Sequence, residues 1–262
     1  MQEIIITTVV IGVIGLIIGI ALVAAGKKFY VAVDEKAIAV RECLPGNNCG
    51  ACGYAGCDAV AAAIAAGDAP VNACPVCSAD AVAKIGGVMG VEAEAAQRKT
   101  AQVKCSGDCE HTSAKCNYVG IEDCRAAALA GLNTGSCTFG CLGYGSCVKA
   151  CTYDAIHVVN GVAKVDTSKC VGCGMCAKAC PKGLIEVVRA DRTFVVQCSN
   201  KDRGPAVKKV CSAGCLGCGA CVKQCEHDAI HLEGNLAYID YDKCVGCGKC
   251  AEKCPAKNIV RQ

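Results

Sequence analysis

The sequence predicts an α+β chain with one apolar helix at its N-terminus, a small helical domain and two tandem modules of similar sequence. Three observations lead to this prediction. An apolar run occupies residues 4–25, an Ala-rich stretch with closely spaced cysteines follows it, and two long segments of the C-terminal half align with one another. The chain has 28 cysteines among 262 residues, so the spacing of the cysteines is the most informative feature of the sequence.

The N-terminal run, IIITTVVIGVIGLIIGIALVAA, contains no charged side chain. As a helix rising about 1.5 Å per residue it is long enough to span a hydrocarbon core of roughly 30 Å. A cleaved signal peptide is the alternative, but Glu3 precedes the run and no Lys or Arg does. Lys27 and Lys28 follow it. The positive-inside rule therefore predicts a single-pass anchor in the cell (inner) membrane, with the N-terminus outside and the soluble domains facing the cytoplasm.

The composition favours metal binding over a disulfide scaffold. Aromatic residues make up 4% of the chain and Trp is absent, so bulky core side chains are scarce. A high cysteine density indicates disulfides in a short secreted protein. This chain is longer, its cysteines are regularly spaced, and cytoplasmic thiols stay reduced. Net charge is +3 and no Lys/Arg run occurs, so nothing indicates a nucleic-acid partner.

The first cysteine-rich region contains the Gly-rich loop CLPGNNCGACGYAGC, followed by an Ala-rich helix. Glycines permit the positive-φ turns that aim several sulfurs at one centre. Four cysteines have the spacing C-x2-C-x4-C-x16-C: Cys49, Cys52, Cys57 and Cys74. This pattern resembles the small helical [4Fe–4S] domain found beside membrane electron-transfer subunits, and a zinc site is the alternative. Cys43 and Cys77 fall outside the pattern as buried or free thiols, and Asp58 is placed to cap the helix.

The C-terminal half contains an internal repeat. The segment CTFGCLGYGSCVKACTYDAIHV, from Cys137, aligns without a gap with CSAGCLGCGACVKQCEHDAIHL, from Cys211. Each copy continues into a predicted β-hairpin, turning at Asn160–Gly161 or near Gly234–Asn235. Each then ends in CVGCGMCAKACP or CVGCGKCAEKCP. This C-x2-C-x2-C-x3-C-P run is that of two-cluster bacterial ferredoxins.

The predicted fold class is therefore α+β: a single N-terminal transmembrane helix, a small helical [4Fe–4S] domain, then tandem two-cluster bacterial ferredoxin-like modules. The predicted domains are, in order, the anchor, the helical domain, a cysteine-containing connecting segment, ferredoxin-like module 1 and ferredoxin-like module 2: residues 1–28, 29–98, 99–134, 135–190 and 191–262.

In a two-cluster run the fourth cysteine ligates the other cluster of the pair. This crossover predicts one set of four cluster ligands in module 1, which we call the outer set: Cys151, Cys170, Cys173 and Cys176. The ligands of the second cluster of module 1 form the set that we call the inner set. The aligned segments supply only three of them: Cys141, Cys147 and Cys180. Tyr144 stands where the second copy has Cys218, so Cys137 is the expected fourth ligand. Module 2 has two complete sets: Cys215, Cys218, Cys221 and Cys254, and Cys225, Cys244, Cys247 and Cys250.

Five further cysteines are candidates for one more site: Cys105, Cys109, Cys124, Cys198 and Cys211. The segment VKCSG around Cys105 is similar to VQCSN around Cys198. If the two modules pack together, four of the five meet, and we expect a sixth [4Fe–4S] cluster there. Buried thiols or a zinc site are the alternatives. The expected total is about six clusters.

The whole chain resembles the B subunit of the Rnf complex, the ion-translocating ferredoxin:NAD oxidoreductase. The likeness rests on the N-terminal helix, the CLPGNNCGACGYAGC element with Cys74, the IEDCRAA segment around Cys124 and the paired ferredoxin runs. It implies a membrane complex that couples electron flow between ferredoxin and NAD to Na⁺ or H⁺ movement. The resemblance implies an electron-transfer subunit of this redox-driven translocase, which accepts electrons from soluble ferredoxin and passes them to other membrane subunits.

Other functional classes fit the sequence less well. A self-contained enzyme needs a nucleotide or nucleophile site, but the G-x-G pieces at Gly143 and Gly217 lie inside cysteine loops, and no phosphate loop is present. No NAD site is therefore expected on this chain alone. A redox-silent zinc protein is disfavoured by the ferredoxin runs. The alternative function is that of a polyferredoxin subunit in another membrane dehydrogenase or hydrogenase.

Overall fold

The computed structural model describes residues 2–28, 34–92, 97–131 and 135–261. Helix α1 covers Gln2–Lys28; of its side chains, those at residues 6, 12–26 and 28 are described, and they are exposed. Among the described residues, no helix combines the length and the apolar character that crossing a membrane requires. The membrane anchor therefore stays a prediction.

Three helices form the helical domain: α2 (Glu35–Cys43), α3 (Cys57–Ala66) and α4 (Ala79–Met89). α2 begins where the Asp34 carboxylate accepts a hydrogen bond from the Lys36 amide, and α4 where the Ser78 hydroxyl accepts one from the Ala81 amide. The three helices pack around a small aliphatic core with Val40, Val60, Ile64 and Ile85 at its centre: four side chains that are almost completely buried.

The start of α3 differs from the prediction. Asp58 lies in the first turn rather than at the cap, and its Oδ1 accepts a hydrogen bond from Arg41 Nε at 2.6 Å. The Cys57 amide instead donates to Asn48 Oδ1 at 2.7 Å. Asn48 belongs to the Gly-rich loop and has a positive φ of 48°. The cysteine loop thus caps the helix that follows it, which fixes Cys57 relative to the loop.

The two ferredoxin-like modules have the mixed α/β structure that the sequence predicts. β1 (Lys99–Val103) and α5 (Cys124–Leu129) lie in the predicted connecting segment, and we count them with the first module, whose other elements are α6 (Ser146–Lys149), β2 (Ile156–Val159), β3 (Val162–Val165), α7 (Met175–Ala179) and β4 (Ile185–Arg189). Those of the second are β5 (Phe194–Val196), α8 (Gly204–Val210), α9 (Ala220–Gln224), β6 (Ile230–Glu233), β7 (Leu236–Ile239), α10 (Lys249–Glu252) and β8 (Ile259–Arg261).

Both predicted hairpins are present. β2 pairs antiparallel with β3, and β6 with β7. The two turn residues have positive φ in each case, 50° and 80° at Asn160 and Gly161, and 52° and 65° at Gly234 and Asn235. Positive φ at both positions defines the type I′ turn, whose twist matches that of the flanking strands.

A second antiparallel strand pair closes each module. β1 pairs antiparallel with β4 from Lys99↔Arg189 to Val103↔Ile185. β5 pairs in the same way with β8, from Phe194↔Arg261 to Val196↔Ile259. Each repeat therefore includes the strand that precedes its cysteine runs. Between this strand and the first cysteine run, repeat 1 carries the long segment 107–136, whereas repeat 2 carries the short helix α8.

The two module cores are built from equivalent small and aliphatic residues. Ile156 and Ile230 are 2% exposed, and Ile185 and Ile259 are 5% exposed. Cysteine side chains make up much of the rest of both cores. Because bulky apolar groups are few, the space between the helices and the ladders is not filled by hydrocarbon.

The helical domain offers a direct test of its packing. Replacing Ile85, which is 0% exposed, by Ala should destabilise the domain by about 2–5 kcal/mol, because the cavity cannot fully collapse. Ile38→Ala is the matched control, since Ile38 lies on the same domain but is 48% exposed. Urea unfolding followed by circular dichroism measures both; equal losses in the two variants would contradict the described packing.

Candidate metal centres

Four cavities in the described part of the chain are lined by groups of four or five cysteines. Three lie within the modules, and one lies between them. In the three within the modules, four sulfurs surround the space.

The outer cavity of module 1 is lined by the four cysteines that the crossover predicts: Cys151, Cys170, Cys173 and Cys176. Cys176 lies in α7, and Tyr153 forms part of the wall. The Ala101 amide of β1 donates a hydrogen bond to Cys170 Sγ at 3.2 Å. The strand that closes the module therefore also supplies a donor to one of the sulfurs.

The inner cavity of module 1 has a different fourth cysteine from the one expected. Cys141, Cys147 and Cys180 line it together with Cys124, while Cys137 lies in another cavity. Segment 107–136 brings Cys124 to this position at the start of α5. It also brings Tyr118 against Tyr144, with ring centroids 5.3 Å apart. The segment thus supplies the thiol that repeat 2 supplies through Cys218.

A short network holds Cys124 in place. The Cys124 amide donates to Ser146 Oγ at 2.7 Å, and Ser146 Oγ donates to Asp123 Oδ2 at 2.7 Å. The other Asp123 oxygen caps α5 by accepting from the Arg125 and Ala126 amides. The Ser146 hydrogen bond lowers the pKa of Asp123 below its usual value. The carboxylate therefore stays ionised as a helix cap and fixes the position of Cys124.

The third cavity lies between the two modules, and four of its five cysteines come equally from both repeats: Cys105, Cys137, Cys198 and Cys211. Cys141 also borders it. Cys105 and Cys198 follow strands β1 and β5, and Cys137 and Cys211 open the two aligned segments. We refer to these four cysteines as the central set.

Hydrogen bonds across this junction occur at equivalent positions of the two repeats. Ser106 Oγ donates to the Gln197 carbonyl at 3.2 Å, and its equivalent Ser199 Oγ donates to the Lys104 carbonyl at 2.9 Å. The Cys141 amide donates to Cys105 Sγ at 3.5 Å. Its equivalent in the other repeat, the Cys215 amide, donates to Cys198 Sγ at 3.4 Å. Each module thereby presents a backbone donor to the sulfurs between them.

One pair of equivalent positions breaks this symmetry. Asn200 is 2% exposed, and its side-chain amide donates to Cys137 Sγ at 3.5 Å. Gly107 is the equivalent residue in repeat 1, and a Cβ there would lie 3.2 Å from Cys211 Sγ. Both positions therefore approach a sulfur of the central set closely, but only Asn200 brings a side-chain donor to it.

Two of the five cysteines proposed for an extra site lie elsewhere. Cys124 joins the inner set of module 1. Cys109 is exposed, and its sulfur lies 2.9 Å from the position that a Cβ on Gly161 would take. The remaining three meet in the central cavity with Cys137, which sequence reasoning assigned to the inner set. The signal for Cys124 was present in IEDCRAA, because an Asp directly before the cysteine predicts a capped helix start.

Module 2 repeats the arrangement with its own cysteines. Its inner cavity is lined by Cys215, Cys218, Cys221 and Cys254. Three of its outer cysteines pack into the module core, and the fourth is exposed in the adjoining loop: Cys225, Cys244 and Cys250, with Cys247. The Ala229 amide donates to Cys225 Sγ, and the Asn258 amide donates to Cys254 Sγ, each at 3.4 Å.

In the helical domain, five of the six cysteines pack with the aliphatic core: Cys43, Cys52, Cys57, Cys74 and Cys77. Cys57 is buried among them, and Cys49 is half-buried in the loop. A hydrogen bond from the Cys77 thiol lowers the pKa of Cys74 to about 6. The same contact raises the pKa of Cys77, so Cys74 is the thiolate of this pair.

Thiols in the cavities are difficult to ionise without a metal. Burial raises the pKa of Cys147 to about 12, and those of Cys105, Cys176 and Cys221 to about 11. Bound metal reverses this by stabilising the thiolates, with release of protons. In the described residues, no three His, Cys, Asp or Glu side chains are arranged around a point where one metal ion could sit. Thiolates spaced around a cavity, with amide donors to sulfur, fit a polynuclear iron–sulfur cluster.

Comparisons with known families agree with this donor set. A family model for an Fe–S cluster domain matches residues 44–76, a 4Fe-4S binding domain matches residues 163–186, and a 4Fe-4S dicluster domain matches residues 214–258. The fold and the cysteine sites thus define a multi-cluster iron–sulfur protein of the ferredoxin type.

Relatives that match most of the chain identify its family more specifically. The B subunit of the Na⁺-translocating ferredoxin:NAD⁺ oxidoreductase complex of Acetobacterium woodii is 45% identical over 89% of this chain and 71% of its own length. The B subunit of the proton-translocating ferredoxin:NAD⁺ oxidoreductase complex of Clostridium ljungdahlii is 40% identical over 92% and 85%. The B subunit of an ion-translocating oxidoreductase complex of Methanosarcina acetivorans is 38% identical over 94% of both chains. The chain belongs to this family of Rnf B subunits, which confirms the resemblance seen in the sequence.

The fourth ligand of the inner set can be tested by rescue. Cys124→Ser should remove about four iron atoms per chain, because one cluster loses a thiolate. Adding Tyr144→Cys should restore them, since position 144 is equivalent to Cys218. Iron and acid-labile sulfide are measured on protein purified without oxygen.

Two variants control this experiment. Cys109→Ser should keep its full iron content, because Cys109 is exposed. Cys137→Ser should lose iron that Tyr144→Cys does not restore. Rescue of Cys137→Ser but not of Cys124→Ser would return Cys137 to the inner set.

Proposed function

We propose that this chain is the iron–sulfur electron-transfer subunit of an ion-translocating ferredoxin:NAD oxidoreductase, and that it passes electrons from reduced ferredoxin to the partner subunits. The observation that carries the proposal is the row of cysteine-lined cavities in and between the two modules, which contacts the cysteine loop of the helical domain. Membership of the Rnf family favours this function over a place in another membrane dehydrogenase or hydrogenase.

We assign six [4Fe–4S] sites. Their ligands, in spatial order, are Cys49, Cys52, Cys57 and Cys74; Cys151, Cys170, Cys173 and Cys176; Cys124, Cys141, Cys147 and Cys180; Cys105, Cys137, Cys198 and Cys211; Cys215, Cys218, Cys221 and Cys254; and Cys225, Cys244, Cys247 and Cys250. Cys43, Cys77, Cys109 and Cys116 remain outside the assignment. A bound [4Fe–4S] cluster supplies a redox centre whose potential responds to hydrogen bonds and exposure.

The first link in the row joins the helical domain to module 1. The Asn47 side-chain amide donates a hydrogen bond to the Tyr153 hydroxyl. Burial raises the pKa of Tyr153, and the nearby thiolates of Cys49 and Cys173 raise it further. Tyr153 thus joins the cysteine loop of the helical domain to the wall of the outer cavity of module 1.

Short helices make the links within each module. α7 carries Cys176 and ends next to Cys180, so one turn of helix joins the outer set to the inner set. In module 2, α9 does the same with Cys221 and Cys225. A rigid turn of helix fixes the separation of the two sets that it serves.

Single peptide groups make the links at the centre. The Cys141 residue belongs to the inner set of module 1, and its amide contacts Cys105 Sγ of the central set. The Cys215 amide makes the same contact from the inner set of module 2 to Cys198 Sγ. The central set therefore connects the inner set of module 1 with the inner set of module 2.

We propose that residues 1–28 anchor this row at the cell membrane as a single-pass helix, with the N-terminus outside and the cysteine sets in the cytoplasm. The apolar run and the two lysines that follow it support this orientation. The anchor would hold the helical-domain end of the row close to membrane-bound partners.

Metal content and magnetic spectra test the assignment of six sites. We expect about 24 iron and 24 acid-labile sulfide per chain, with interacting S = ½ signals after reduction by dithionite. A value of about 20 would remove one site while keeping the electron-transfer role. Zinc in place of iron, without a signal on reduction, would refute that role.

The anchor is tested by deleting residues 2–28. The shortened protein should move from the membrane fraction to the soluble fraction with its iron content unchanged, because the deleted residues include no cysteine. The positive-inside orientation predicts that a tag on the C-terminus is cleaved by protease only after the cell membrane is opened. A full-length protein that remains soluble when expressed with its partner subunits would contradict the anchor.

A further inference from the structure

Modules 1 and 2 have equivalent faces beside their outer cysteine sets. In module 1 this face is covered by the helical domain, through the hydrogen bond between Asn47 and Tyr153. Asn47 belongs to the Gly-rich cysteine loop of the helical domain, and Tyr153 and Cys173 line the same outer cavity of module 1. Tyr153, Val171 and Cys173 are accordingly only partly exposed.

The equivalent face of module 2 is uncovered among the described residues. Val245, which corresponds to Val171, is 62% exposed. Cys247 and His227, which correspond to Cys173 and Tyr153, are exposed. We call the surface formed by His227, Val245, Cys247 and Lys249 the terminal face.

The glycines of the two cysteine loops have matching backbone conformations. Gly172 and Gly246 have φ of 67° and 70°, and Gly174 and Gly248 have φ of 76° and 79°. The cysteine loop of module 2 therefore has the conformation that, in module 1, receives another iron–sulfur domain.

The side chains differ in a way that suits a reversible contact. Met175 and Tyr153 of the covered face are replaced by Lys249 and His227 in the terminal face. Lys249 Nζ is paired with Glu226 Oε1 at 2.5 Å, so the added charges are balanced within the face. Surfaces that alternate between water and a partner are more polar than surfaces that are permanently buried.

We propose that the terminal face is the docking site of the soluble iron–sulfur protein that donates electrons to this chain. The occupant follows from the internal repeat: on the equivalent face of module 1, the cysteine loop of the helical domain contacts Tyr153 through Asn47. This inference rests on the proposed electron-transfer function and adds the place of entry. Each encounter oxidises the donor by one electron and reduces this chain by one electron, with no bond made or broken.

The test uses the full-length protein in detergent and a pre-reduced two-cluster [4Fe–4S] ferredoxin as the probe. Val245→Glu puts an unpaired carboxylate at the centre of the terminal face. It should lower the second-order rate constant of reduction, followed by stopped-flow absorbance, by about tenfold or more. Val159→Glu is the matched control, since Val159 is also exposed, at 41%, but lies on the hairpin of module 1; its rate constant should not change.

Reduction by dithionite separates this inference from the proposed function. Both variants should be reduced completely by dithionite and keep the iron content of the unmodified protein. If Val245→Glu loses iron, His227→Glu provides the same test from a residue outside the cysteine loop. Equal rate constants for the variant and the control would overturn the terminal face as the docking site.

Two further results have distinct meanings. If ferredoxin does not reduce the unmodified protein although dithionite does, the proposed function fails along with the docking site. If the unmodified protein sediments as a dimer that Val245→Glu dissociates, a second copy of the chain covers the terminal face, and the docking site is overturned while electron transfer stands.

Discussion

Convergence of buried thiols is the constraint on which the rest of this structure depends. The module cores contain few large apolar side chains, and their centres are lined by sulfur. Burial raises the pKa of thiols such as Cys147 and Cys221, so these groups are neutral at physiological pH until a metal centre binds. Folding and metal loading are therefore coupled, because the bound metal replaces the hydrocarbon that would otherwise fill the core.

Patterns local in sequence were predictable, and contacts between distant segments were not. The turns at Asn160 and Gly234 follow from residues that tolerate positive φ, and the outer set of module 1 follows from ferredoxin spacing. The pairing of β1 with β4 was missed, because the two strands are separated by most of the module. The position of Cys124 beside the inner set was not predictable for a related reason: the alignment shows a missing cysteine opposite Cys218, but not which distant segment supplies another.

Insertions and repeats explain the differences between the two modules. Segment 107–136 supplies Cys124 and packs Tyr118 against Tyr144, whereas repeat 2 retains its own cysteine and needs only helix α8 at that point. The capping of α3 is a smaller example of a residue that is supplied by another segment. Asn48 in the cysteine loop satisfies the Cys57 amide, so the residues that orient a ligand lie in the element that contains it. Local capping rules suggested Asp58 because they consider only the residues next to the helix.

The central set has a consequence for how such a chain can change over time. Two of its cysteines belong to each repeat, so it is in effect an interface between two protomers enclosed within one polypeptide. Loss of either repeat would leave Cys105 and Cys137, or Cys198 and Cys211, as an incomplete half-site. The central set is therefore complete only when both repeats are present in one chain.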